Sequence, residues 1–228
     1  HYASIALSFF TIILITNSFN LIDGIDGLAG SLGLLTTVLF GAYFYYIGHI
    51  EYAVIAFALS GSLVSFLIYN FSPAKIFMGD TGSLLLGLIN SILVIKFINL
   101  SSSQAVALPL AAAPAIGIAI LMIPLFDTLR VFGLRIVDGR SPFSPDRTHV
   151  HHFLLDIGFS HRRITILCVV LNSIFIGIAV GLRNLGTTSV IGILLVTGLL
   201  FIGIIYYLRQ KNKPVSVNDL VENEVRKS

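Results

Sequence analysis

Residues 17–30 read NSFNLIDGIDGLAG: two carboxylates (Asp23, Asp26), two carboxamides (Asn17, Asn20) and three glycines (Gly24, Gly27, Gly30), set between two strongly apolar runs. The surrounding chain is 228 residues long, 56% hydrophobic and only 11% charged. Its mean hydropathy of +0.94 is far outside the range of soluble domains and points to a membrane protein. An acidic knot in such a chain marks a place where it leaves the hydrocarbon and turns at the surface.

Apolar runs at 28–47, 52–69, 107–126, 164–182 and 188–208 approach or exceed the roughly 18 to 20 residues that cross about 30 Å of hydrocarbon as a helix. The shorter runs 3–16 and 84–98 count as spans because their flanks extend them, with Lys96 snorkelling to the interface. The expected fold is therefore an all-α polytopic membrane protein of about seven transmembrane helices. Residues 1–208 form the transmembrane domain, and 209–228 form a solvated tail. Run 3–16 lacks the basic flank and cleavage site of a signal peptide. The single cysteine, Cys168, rules out a disulfide framework and a thiolate metal site. With the start of the chain outside, loops 17–27, 70–83 and 127–163 and the tail hold twelve of the fourteen Lys and Arg, so these segments are expected in the cytoplasm.

That face also collects the chemistry. Asn17, Asn20, Asp23 and Asp26 repeat every third residue, which in a helical or 3₁₀ end makes one polar stripe. Gly27 then opens the next helix, whose N-terminus favours anions. Such oxygens suit a hard cation bridging to phosphate; a capped turn would need only one or two of them. In NFSPAKIFMGDTGS (70–83), Asp80 is either an N-cap or a second carboxylate for the same ion, since phosphate-bound Mg²⁺ takes only one or two protein carboxylates. His149, His151 and His152 lack a thiolate companion and are poor Mg²⁺ ligands. With Arg140 and Arg147 they suit hydrogen bonding to a diphosphate. Metal, phosphate and close backbone approach together imply phosphoryl transfer involving a lipid. A transporter would place charge inside the spans; Pro109, Pro114 and Pro124 interrupt run 107–126 without any, which predicts a kink. Nothing in the chain points to nucleic acid.

The knot, together with FMGDTGSLLLG (77–87), PLFDTLRV (124–131) and SPFSPDRTHVHHFLLDIGFSHRR (141–163), resembles the polyprenyl-phosphate N-acetylhexosamine-1-phosphate transferases. The likeness is greatest to the bacterial undecaprenyl-phosphate N-acetylglucosaminyl-1-phosphate transferases and runs from about residue 1 to about residue 208. HVHH favours this branch over the alternative, the phospho-MurNAc-pentapeptide transferases. The resemblance implies that undecaprenyl phosphate attacks the β-phosphorus of a UDP-N-acetylhexosamine, most simply UDP-GlcNAc. UMP leaves, and the first lipid-linked sugar of a cell-surface glycan, such as an O-antigen or a cell-wall polymer, remains in the bacterial inner membrane. It implies Mg²⁺, with Mn²⁺ able to substitute, and a homodimer. By motif, Asp80 resembles the principal metal ligand, with Asp23 and Asn20 beside it and Asp26 in the same acidic, catalytic site. Asn70 and Phe77 match nucleotide contacts, Phe77 by stacking on uracil. His149, His151 and His152 match the diphosphate motif, and Asp127 a supporting acid. The family also carries earlier spans with an adjacent aspartate pair. This chain contains no Asp-Asp, so those spans are expected to be missing, and a homologue that binds nucleotide-sugar without turnover is the remaining alternative.

Overall fold

The computed structural model describes residues 2–103, 106–139, 141 and 149–211. Six long apolar helices are α1 (Tyr2–Ile22), α2 (Leu28–Tyr46), α3 (Ile50–Asn70), α4 (Gly79–Ser101), α8 (His161–Gly181) and α9 (Thr187–Lys211). A seventh crossing is broken into α5 (Ala113–Ile120) and α6 (Met122–Val137), and α7 (Val150–Asp156) is a short helix beyond it. The described residues thus form an all-helical bundle, that of a multi-pass membrane protein. Large apolar side chains such as Phe9, Phe57, Ile174 and Leu199 stay exposed on its flanks, as lipid-facing surface requires.

Run 107–126 is not the continuous helix expected from its hydropathy. Pro114 starts α5, and the axis turns by 84° at Leu121 before α6 continues to Val137. The cause lies at Pro124, which has no N–H to give the carbonyl four residues back. The orphaned Ile120 carbonyl accepts from Asn172 Nδ2 at 2.9 Å, and Asn172 Oδ1 accepts from the Ile123 N–H at 3.0 Å. One buried carboxamide on α8 therefore satisfies both sides of the break. Part of the expected loop 127–163 is consequently helix, with Asp127 on α6.

Packing brings the remaining crossings together through small residues. A Cβ on Gly87 would lie 2.6 Å from Thr16 Cα, so α1 and α4 touch backbone to backbone there. Inside the bundle Thr36 Oγ1 donates to Asn90 Oδ1 at 2.6 Å, and Ser60 Oγ to Thr37 Oγ1 at 2.8 Å. Polar groups at membrane depth are thereby paired between helices. Lys96 lies 5.4 Å from the Tyr52 ring centroid at the end of the bundle opposite the knot.

Candidate active site

The knot-bearing end of the bundle follows from these crossings. Asn20 is one turn beyond Thr16 on α1, and Ser83 one turn before Gly87 on α4. The close approach therefore sets them against each other. Asn20 Nδ2 donates to Ser83 Oγ at 2.9 Å and to Asp80 Oδ1 at 3.1 Å. Asp80 stands exposed in the first turn of α4, immediately after Gly79 at φ 66°. Asn20 thus presents its nitrogen to Asp80 and orients that carboxylate, which leaves its own oxygen for a ligand.

Asp23 lies just past the end of α1 and is half-buried. Burial and the neighbouring Asp80 charge push its carboxyl up to about 6, against a smaller opposing effect of the Gly79 backbone N–H. Two carboxylates that repel each other beside a carboxamide oxygen form a donor set suited to a hard divalent cation. Among the described residues no group of three or more His, Cys, Asp or Glu is arranged to hold a metal by itself.

The stripe expected from the three-residue repeat does not form. The α-helix ends at Ile22, and Gly27, at φ 75°, turns the chain into α2, so the four side chains point to different partners. Asn17 bonds back to the Ile13 carbonyl at 2.8 Å. Asp26 closes loops: Oδ2 accepts from the Ala74 N–H at 3.1 Å and Oδ1 lies 3.0 Å from His161 Nδ1. Burial alone would raise its carboxyl, but the Ala74 N–H, His161 and the Ser72 hydroxyl together hold it below the usual range. Asp26 therefore joins the knot to the 71–78 turn and to α8.

Asn70 is buried, with both ends of its carboxamide occupied. Oδ1 accepts from the Gly27 N–H at 2.9 Å, and Nδ2 donates to the Ile76 carbonyl at 2.8 Å. It ties the knot to the turn that carries Phe77, whose ring is 80% exposed and open to a stacking partner. These two bonds use one acceptor site and one N–H of the carboxamide and give Asn70 a positional role beside the nucleotide contact expected of it.

The histidine segment sits on the same end. His151 is buried, with Nε2 3.7 Å from where a Cβ on Gly24 would stand, so it faces the knot. Burial is the main cause that lowers it to about 4, and the neighbouring histidines add to this against the pull of Asp127. It is a neutral imidazole at pH 7. The His149 ring stacks parallel to it at 5.6 Å with an interplanar angle of 4°, and the His152 ring lies 4.4 Å from His151. From α9, Arg209 holds α7 in place by pairing with Asp156 at 2.7 Å and covering the Phe153 ring at 4.3 Å. Arg140 and Arg147 lie outside the described residues.

Comparison with known proteins finds relatives along most of the chain. Residues 1–98 match the family described as glycosyl transferase family 4. The chain is 38% identical over 177 residues to the decaprenyl-phosphate N-acetylglucosaminephosphotransferase of Mycobacterium leprae, covering 72% of this chain and 44% of that protein. It is 36% identical over 170 residues to the probable undecaprenyl-phosphate N-acetylglucosaminyl 1-phosphate transferase of Bacillus subtilis (75% and 46%). With the undecaprenyl-phosphate alpha-N-acetylglucosaminyl 1-phosphate transferase of Escherichia coli it shares 32% over 178 residues (76% and 47%). The resemblance carried by the four motifs is therefore found again across most of the chain. The chain spans about half the length of the curated relatives it matches.

The residues that sequence reasoning passed over are Ser83 and His161. Ser83 was accessible as the position one helical turn after Asp80. Nothing in the spacing of His161 marks it as the partner of a carboxylate 135 positions earlier.

Proposed function

We propose that this chain supplies the nucleotide-sugar and cation side of a polyprenyl-phosphate N-acetylhexosamine-1-phosphate transferase. In that reaction GlcNAc-1-phosphate passes from UDP-GlcNAc to undecaprenyl phosphate, and UMP is released at the cytoplasmic face of the bacterial inner membrane. The observation that carries the reading is the Asn20–Asp80–Ser83 contact beside Asp23, an oriented carboxylate pair at the basic end of a membrane bundle. The names of the relatives support the acceptor class, and the excess of Lys and Arg at that end supports the facing.

Asp80 and Asp23, with the Asn20 oxygen, would hold Mg²⁺. When bound, the ion offsets the negative charge that gathers on the reacting phosphates. The chain's own groups bind and orient. Phe77 offers an exposed face for the uracil, and Asn70 fixes the turn that presents it. Neutral His151, whose Nε2 faces the knot beside Gly24, would contact a diphosphate held there. A phosphate monoester has its second pKa near 6, so at pH 7 the lipid phosphate is mostly a dianion already. Positioning and charge neutralisation then dominate, and no carboxylate needs to act as base.

The test is UMP binding to the purified chain in detergent, by calorimetry, with Mg²⁺ and with chelator, for the parent chain and Asp80→Ala. Binding that requires Mg²⁺ and is lost in Asp80→Ala is the expected result. Binding indifferent to both removes the cation site, and with it this reading.

A further inference from the structure

Asp127 stands in the second turn of α6, just beyond the break at Leu121, with 5% of its surface exposed. Among the described residues, three groups converge on its carboxylate. Oδ1 accepts from Arg130 Nη2 at 3.0 Å and from the Val150 N–H at 3.0 Å, while Oδ2 lies 3.0 Å from His149 Nδ1. Arg130 and the Val150 amide can only donate, so the carboxylate acts as acceptor throughout, and the third contact requires a proton on His149 Nδ1.

We propose that Asp127 is a positioning residue that holds the proton of His149 on Nδ1, so that whenever the ring carries a single proton its Nε2 bears the lone pair and accepts a hydrogen bond, where the sequence suggests donation to a diphosphate. The functional consequence rests on the reading of this end as a phosphoryl-transfer site. Within the cluster the roles then divide. His149 Nε2 suits an O–H of substrate, either a sugar hydroxyl or a phosphate monoester that still carries its proton. Contacts to the bare phosphate oxygens fall to His151, which faces Gly24, and to His152. The His149 and His151 rings lie parallel within the cluster, 5.6 Å apart. The same carboxylate accepts from the first N–H of α7, which seats the histidine helix on α6.

The full chain, labelled with ¹⁵N-histidine in detergent, answers this by NMR. His149 is assigned by the signal lost in His149→Gln, and the spectrum is read at a pH where that ring holds a single proton. The expected result is a protonated Nδ1 and a bare Nε2 in the parent chain, inverted in Asp127→Asn, whose amide would donate to Nδ1. A bare Nδ1 in the parent chain overturns the proposal. So does an Asp127→Asn chain whose His49 and His161 signals are unmoved, and which is therefore folded, but whose His149 tautomer is unchanged. If Asp127→Asn does not fold, the parent spectrum still decides. No nucleotide or lipid enters the measurement, so its outcome is separate from that of the UMP-binding experiment.

Discussion

At Asp23, burial and the charge of Asp80 act in the same direction, and the proton is the ligand they favour in the absence of a cation. The carboxyl is raised from 3.8 to about 6, so between those values the folded chain holds more proton at this position than the unfolded chain does. This contribution to stability is present at low pH and is lost as pH rises through about 6. A cation must displace that proton. Mg²⁺ affinity is therefore expected to be flat above pH 7 and to weaken by about tenfold per pH unit once the carboxyl is protonated. Titration calorimetry at pH 5, 6 and 7.5 checks this, and an affinity independent of pH would mean that Asp23 is not a ligand. Asp23→Asn removes the pH dependence together with most of the affinity. Asp26→Asn behaves differently if its role is to close loops: it loosens the 71–78 turn and lowers thermal stability, by about 1 to 3 kcal/mol for the lost charged hydrogen bonds, with Mg²⁺ affinity changed far less. The two aspartates look alike in the sequence, each followed by glycine. Only the end of the helix at Ile22 separates them, and helix ends are the least legible feature of a repeat with a three-residue period.

At the scale of elements, the six uninterrupted crossings were legible because each is a long apolar run, and hydropathy measures the cost of burying backbone and side chain in hydrocarbon. The broken one was legible only as a kink. Pro124 announces a missing N–H, but nothing local in the chain shows that Asn172, on another helix, supplies the replacement bonds. The same holds at the site. The acids and histidines stood out as polar residues at the end of apolar runs, whereas Asn70 and Asp26 turned out to bind backbone, which only their tertiary neighbours decide. Two substitutions follow. Asn172→Leu leaves the Ile120 carbonyl and the Ile123 N–H unpaired at the break and is expected to destabilise the chain by about 2 to 4 kcal/mol. Because α6 carries Asp127, it should also perturb the His149 signal. Gly87→Ala places a methyl 2.6 Å from Thr16 Cα. The helices must separate, at a cost of about 1 to 3 kcal/mol, and Asn20 is drawn away from Asp80. Both are measured by thermal unfolding in detergent, and a parent-like melting temperature in either would show that the crossing is looser than described.

For the whole molecule, the alternation of crossings places the ends of α1, α3, α6 and α9 and the starts of α2, α4 and α8 at one end of the bundle. That end carries Lys75, Arg130, Arg135, Arg162, Arg163, Arg209 and Lys211 among the described residues, while Lys96 and Arg183 lie toward the other. Short loops rich in Lys and Arg tend to be retained on the cytoplasmic side during insertion, so the proposed orientation puts this end of the bundle, and the candidate site with it, in the cytoplasm. On the proposed function, a nucleotide-sugar made in the cytoplasm would reach Phe77 only in that orientation. The prediction is tested in a Cys168→Ser background, which removes the chain's single thiol. Cysteine placed at exposed Lys75 should be protected from a membrane-impermeant maleimide in intact bacterial cells and react once the cells are opened. Cysteine at exposed Ser102 should react in both. Reaction at position 75 and protection at position 102 in intact cells would invert the bundle, put the acid pair outside and leave a UDP-sugar without access to it.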